Sequence, residues 1–148
     1  MVNYINNRKA TFDYEIIKQY EAGLVLFGYE VKAIRLGRGK LEGAHIAIRD
    51  GEAFLIGASI ASYQAANTPD DYNPERTRKL LLTKKELGEL DQKGKQAGLT
   101  IVPIRLYSGK RYLKLKIALV RGRKKTDKRE LLKKRDAKRS LERILKNQ

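Results

Sequence analysis
Few side chains in this 148-residue chain could do covalent chemistry. His45 is the only histidine, and there is no cysteine. That excludes disulfides and thiolate metal sites, and leaves one imidazole to act as a general base. Ser59 and Ser62 stand at no recognisable spacing from it, and neither a nucleophile elbow nor a P-loop occurs. Asp70 and Asp71 are adjacent acids of the kind that hold Mg²⁺. Such a site needs further carboxylates or substrate phosphates around it, so a solvated loop is the expected role. No cofactor is expected, and the chain reads as a binder rather than an enzyme.

What it would bind follows from charge. The 33 Lys/Arg outnumber the 17 Asp/Glu, for a net +16 and a pI of about 10.1. From Arg121 to Gln148, thirteen cations face four acids (Asp127, Glu130, Asp136 and Glu142), with six apolar residues. A segment so poor in apolar residues builds no core of its own and is organised by a polyanion if by anything. Nucleic acid is the first expectation and an anionic membrane surface the second. The chain has no 18-residue apolar run and no signal-like apolar stretch at its start, so a cytoplasmic protein is expected. Gly37-Arg38-Gly39 is too short for a phosphate-loop fingerprint and reads as a turn. Glu30 stands among Lys32 and Arg35 and has two readings. One is an ion pair with Arg35; the other is an acceptor for base amino and imino groups, which Lys and Arg cannot provide.

The elements that must position these residues are mostly strands. Arg8 and Lys9 sit in a short polar lead. Tyr14 to Tyr20 alternates imperfectly, as a strand would. Glu21-Ala22-Gly23 is expected to turn the chain into a second short strand, Leu24 to Phe27. A helical turn over Tyr29–Leu36 stops at Gly37. Ala44 to Ile60 is a hairpin around Asp50-Gly51. A polar loop of about 18 residues, Ser62 to Lys79, precedes a strand at Leu80–Leu82. Thr83 and Glu86 form a capping box for a helix that turns Leu87 and Leu90 inward and stops at Gly98. Pro103 marks the next strand as an edge or a bulge. Tyr112 to Val120 alternates with Leu113, Leu115, Ile117 and Leu119 inward and Lys114 and Lys116 outward. The fold class expected is mainly β with flanking helices: an antiparallel, closed or nearly closed barrel over residues 1–120. A basic tail over 121–148, disordered or helical, follows it. Asp127 is the expected helix cap, and Ala137, Leu141 and Leu145 form a narrow apolar stripe.

Several motifs in order carry a resemblance. They are Asn7-Arg-Lys-Ala10, Asp13-Tyr14, Glu21-Ala-Gly23 and Gly28-Tyr-Glu-Val-Lys32 with Arg35. Asn73-Pro-Glu-Arg-Thr-Arg-Lys-Leu-Leu-Leu82, Gly98-Leu-Thr-Ile-Val-Pro103 and Gly122-Arg-Lys-Lys-Thr-Asp-Lys-Arg129 follow. Over nearly its whole length the chain resembles the SmpB family, the SsrA-binding proteins of bacterial trans-translation. The resemblance implies an OB-type barrel without enzymatic activity that binds the tRNA-like domain of transfer-messenger RNA. With elongation factor Tu, the family escorts that RNA to stalled ribosomes, and the tail enters the empty messenger channel near the decoding centre. A monomer without a membrane partner is expected.

Carried over by position, the RNA-binding set is Asn7, Arg8, Lys9, Glu30, Lys32, Arg35, Arg78, Lys79 and Leu81. The ribosome-facing set is Gly122, at a flexible exit from the barrel, then Arg123, Lys124, Lys125, Asp127, Lys128 and Arg129. Three residues depart from the pattern: Phe12 and Thr126 where family members commonly carry a His (or, at the second, Tyr), and Ala61 where they commonly carry Pro. A generic OB-fold RNA binder or ribosomal protein is the alternative reading, and an RNA-processing enzyme using Asp70 and Asp71 a weaker one.

Overall fold
Alternating apolar and polar residues bury one face of a strand, and that pattern builds most of this chain. The computed structural model describes residues 2–64, 66, 68–123 and 125–146, with no account of the side chains of 125–127. In chain order the elements are β1 (Asn3–Asn6), α1 (Arg8–Asp13), β2 (Tyr14–Leu24), α2 (Gly28–Arg35), β3 (Gly39–Lys40), β4 (His45–Arg49) and β5 (Glu52–Ile56). They continue with β6 (Ser59–Ile60), β7 (Arg78–Leu81), α3 (Lys84–Gly94), β8 (Leu99–Ser108), β9 (Leu113–Gly122) and α4 (Lys125–Lys146).

Seven strands form one antiparallel sheet in the order β1-β8-β9-β2-β7-β5-β4, and β3 pairs with β6. The sheet curls until β4 packs back against β8, which gives the nearly closed, mainly β architecture expected. Inside lie Ile34, Leu55, Leu80, Leu90, Leu115 and Ile117. A second, smaller cluster sits on the outer side of β8 and β9. There Ala10 of α1 covers Val102, Ile104, Ala118 and Val120.

Three expected signals act as read. Asp50 (φ 52°) and Gly51 (φ 75°) both take left-handed backbone, as a two-residue hairpin turn between β4 and β5 requires. Thr83 accepts from the Glu86 N–H and Glu86 reaches back to the Thr83 N–H, so α3 starts on a full capping box. Pro103 sits at a register shift between β8 and β9, where its missing N–H costs no ladder bond. It is not on a bare edge, because β1 pairs with β8 from Arg105 onward and Asn7 caps the Pro103 carbonyl.

Other expectations are corrected. Glu21-Ala22-Gly23 is no turn: β2 runs unbroken, with these residues opposite Lys116, Leu115 and Lys114. Gly23 serves close strand approach, since a Cβ there would lie 3.3 Å from Leu81 Cβ. A bulge between Ile16 and Lys18 accounts for the imperfect alternation. Leu24 to Phe27 is not a strand beyond Leu24; the Val25 N–H bonds the Lys79 carbonyl and the chain then leaves the sheet. The polar lead holds a strand and the short helix α1. β9 takes in Arg121 and Gly122, so Gly122 is paired opposite Tyr14 rather than a flexible exit. The tail is helical, and it starts at Lys125, two residues before the expected cap Asp127.

Candidate nucleic-acid interface
Glu30 organises the side of the barrel where β2 passes into α2. As the third residue of α2 it turns back, and its Oε1 accepts the N–H of Phe27, the residue that caps the helix, at 2.8 Å. Its Oε2 accepts from Arg78 Nε (3.0 Å) and Nη2 (2.8 Å) and from Arg76 Nε (3.1 Å). Arg76 Nη2 bonds Oε1, and the Tyr72 hydroxyl lies 3.1 Å from Oε2. Arg78 also donates to the carbonyls of Ala58 and Pro74, both at 2.8 Å. Burial alone would raise the Glu30 pKa. The bonds from Arg76, Phe27 and Arg78 outweigh it and hold the carboxyl below the usual range. Burial, followed by the Glu30 charge, pushes the Tyr72 hydroxyl up to about 12. The network therefore fastens α2, the loop before β7 and β7 itself to one another.

This arrangement corrects the expected roles of three residues. Glu30 and Arg78 are fully buried and Asn7 is 4% exposed, so none of them meets RNA directly in this conformation. Glu30 pairs with Arg76 and Arg78, not with Arg35. Asn7 is a structural cap. Its Oδ1 accepts the Ala10 N–H, and its Nδ2 donates to the carbonyls of Pro103 and Leu41. Such fully satisfied polar groups specify shape, and here they position other residues.

Those others are exposed. Lys32 and Arg35 project from α2, Lys79 and Leu81 from β7, and Arg8 and Lys9 from α1. The two groups of cations sit on different parts of the barrel. α1 covers the small cluster outside β8 and β9, while α2 and β7 are tied together through Glu30 and Arg78. Lys32 lies over the Tyr63 ring, 5.5 Å from its centroid. Sequence reasoning missed Arg76, Phe27 and Tyr29. The Arg76 guanidinium lies 4.2 Å from the Phe27 ring centroid, and Phe27 stacks on Tyr29 at 5.4 Å. Phe27 was hidden because it ends an apolar run that reads as a buried strand.

Among the described residues, the first half of the tail helix α4 lies against α1. Lys128 pairs with Asp13 at 3.2 Å, and Lys128 and Arg135 both stand over Phe12, 5.8 and 5.6 Å from its centroid. Before the helix, Arg123 donates to the Tyr14 carbonyl at 3.1 Å. Lys124 and the side chains of Lys125 and Asp127 lie outside the described residues, while Arg129 is exposed. Leu141 and Leu145 of the expected stripe are 58% and 61% exposed, so most of the stripe faces solvent.

His45 is exposed at the rim of a cavity of about 310 Å³ shared with Lys9, Asp13 and Thr100, and no serine lines that cavity. Asp70 and Asp71 are exposed. Among the described residues no group of three or more His, Asp or Glu is placed to hold a metal, and no helix is long and apolar enough to cross a membrane.

The likeness to known proteins extends over this whole arrangement. A family profile described as SmpB protein matches residues 4–147. The SsrA-binding protein of Burkholderia vietnamiensis is 48% identical over 145 residues, 97% of this chain and 97% of that protein. The SsrA-binding protein of Cupriavidus necator is 48% identical over 141 residues, covering 95% of this chain and 94% of that one. That of Gloeothece citriformis is 45% identical over 141 residues, covering 95% and 91%. A solved chain from "tmRNA-SmpB: a journey to the center of the bacterial ribosome" superposes with a TM-score of 0.68 at 43% identity, covering 81% of this chain and 84% of that one. With the sequence matching along almost its full length and the fold over 81% of it, this chain belongs to the SmpB family of SsrA-binding proteins.

Proposed function
We propose that this chain binds the tRNA-like domain of transfer-messenger RNA and carries it to stalled ribosomes, where α4 enters the empty messenger channel. It does so as a binder, without chemistry of its own. The observation that carries this reading is the pairing of a basic barrel with a 22-residue cationic helix whose apolar stripe is largely exposed. The barrel presents Lys32, Arg35, Lys79 and Leu81 on elements that the Glu30–Arg78 lock holds in register. Cations fixed at set spacings match the phosphates of a folded RNA by shape, which is how structured RNA is chiefly recognised. On α4, cations surround the exposed leucines and meet ribosomal phosphates when the channel holds no message. Arg123, Lys124, Lys125, Asp127, Lys128 and Arg129 lie at the start of that segment and are the residues proposed to face the decoding centre.

Binding of the tRNA-like RNA should weaken steeply with salt, by orders of magnitude between 50 and 200 mM if about six or more phosphates are engaged. Truncation after Arg123 keeps β9 and the Arg123–Tyr14 bond intact. It should leave RNA affinity within about threefold and abolish peptide tagging on stalled ribosomes. Loss of RNA binding on truncation would refute the division of labour between barrel and tail. A flat salt response would refute the electrostatic part of this reading, and no enrichment of one small RNA in a pull-down would favour a generic RNA binder.

A further inference from the structure
We infer that the Arg76–Phe27–Tyr29 stack is a seat for one unpaired RNA base, beside the phosphate-contacting cations rather than among them. The inference rests on the RNA-binding reading above. It starts from a side chain that the fold does not need where it is. Phe27 is 49% exposed, although in the helix it precedes Ala33 and Ile34 are fully buried and Val31 is partly buried. Its backbone is extended, at φ −77° and ψ 155°, so the ring is carried outward from the last bond of the sheet.

The ring is nevertheless held. Tyr29 stacks on it with an interplanar angle of 28°, and the edge of Tyr72 braces Tyr29 at 5.1 Å and 84°. Arg76 lies 4.2 Å from the Phe27 centroid. Its fork is fixed by both Glu30 oxygens, with Nη2 also 3.5 Å from the Val25 carbonyl. A guanidinium so committed to a carboxylate is a poor phosphate ligand but remains a flat, polarisable surface. A braced aromatic pair with a fixed guanidinium is the arrangement on which single-stranded bases stack, because every base offers a π-face. Charge favours RNA over an apolar protein anchor as the occupant. Lys79 projects from the neighbouring strand, bonded to Val25 through the backbone, and Lys32 and Arg35 project from the helix that Phe27 caps.

Stacking and phosphate contacts differ in their salt dependence, which supplies the test. Affinity for the tRNA-like RNA is measured from 50 to 300 mM salt for the full chain and for Phe27→Ala, Phe27→Trp and Lys79→Ala. Phe27→Ala should lose roughly 5- to 150-fold at every salt concentration with an unchanged slope, the equivalent of about 1–3 kcal/mol per stacked base. Phe27→Trp should bind at least as well as the parent. Lys79→Ala should lower the slope by about one phosphate. A parent chain that binds while Phe27→Ala binds within twofold of it overturns the seat and leaves the RNA reading intact. A parent that does not bind overturns the RNA reading itself. A Phe27→Ala loss that comes with a reduced slope means the ring only places Arg76, and overturns the seat. So does a loss in Phe27→Trp, which keeps a large flat ring and covers the case in which the alanine variant is unstable.

Discussion
Replacing Glu30 with Gln keeps the side-chain volume and removes one charge from a site with no exposed surface. Arg78 is equally buried, and among the described residues Glu30 is its only charged partner. Its remaining bonds, to the carbonyls of Ala58 and Pro74 and to the Tyr72 hydroxyl, satisfy donors without neutralising the guanidinium. Removing one member of a buried ion pair costs about 3–5 kcal/mol, because the other is left uncompensated in a low-dielectric interior. The amide also turns an N–H toward one of two guanidiniums, so at least one bond is lost outright. In a domain of this size that loss should lower the unfolding midpoint by on the order of 10–20 °C. Urea titration with a shared slope gives the free energy directly. A double-mutant cycle with Arg78→Met should show the pair to be strongly coupled, with Glu30→Gln/Arg78→Met less destabilised than the sum of the single changes. Destabilisation of Glu30→Gln by less than about 1 kcal/mol would refute the view that Glu30 acts by holding the fold. A large loss of RNA affinity at unchanged stability would refute it equally, and would restore direct contact.

Two further outcomes follow. The Glu30 carboxyl titrates below its ordinary value of 4.5, so its stabilising contribution is complete above that value and is lost as pH falls through the lower folded-state pKa. Glu89, held near 2 by bonds from Lys18, Tyr20 and Lys93, acts in the same direction. Stability followed by circular dichroism should therefore fall below about pH 4.5, and less steeply in Glu30→Gln; an equal acid slope in the variant would count against the assignment. At the tail, Phe12→Ala removes the ring beneath Lys128 and Arg135 and should speed trypsin cleavage of α4 several-fold without moving the unfolding midpoint by more than about 3 °C, whereas unchanged cleavage would mean that the ring does not hold the helix.

Local signals were legible where one short stretch decides the outcome. Asp50-Gly51 needs only its own backbone to make a turn, and Thr83 with Glu86 only one helical turn to make a cap. The mainly β class followed from alternation in β4, β5 and β9. What was illegible depends on residues distant in the chain. Glu21-Ala22-Gly23 has turn-like composition, but the strands opposite it supply its hydrogen bonds, and Leu81 explains the glycine. Asn7 and Arg8 read as a polar lead because α1 is only six residues long and is stabilised by capping and by the outer face of β8 and β9. Glu30 was singled out correctly as unusual, but its nearest cations in sequence, Lys32 and Arg35, point to solvent. Its true partners lie 46 and 48 residues further on, at the end of the long loop and the start of β7. The Arg76–Phe27 stack is a consequence of that distant pairing and has no pattern of its own.

The same distinction between buried and exposed charge governs the tail. The barrel uses its buried charges at full strength, where water does not screen them, and they fix shape. The contacts holding α4 are of the opposite kind. Asp13 and Lys128 keep 26% and 35% of their side-chain surface, and an ion pair that wet contributes about 0–1 kcal/mol. The two cation–π contacts on Phe12 add about 0.5–1 kcal/mol each at such exposure. A helix held beside α1 by a total on the order of 1–3 kcal/mol is docked for most of the time, yet a handful of phosphate contacts outcompetes those bonds. Lys128 and Arg135 are also cations that ribosomal phosphate would claim, so leaving Phe12 and entering an anionic channel are two sides of one exchange. On the proposed reading, a channel already filled by messenger would offer no such exchange, and the helix would stay on the barrel.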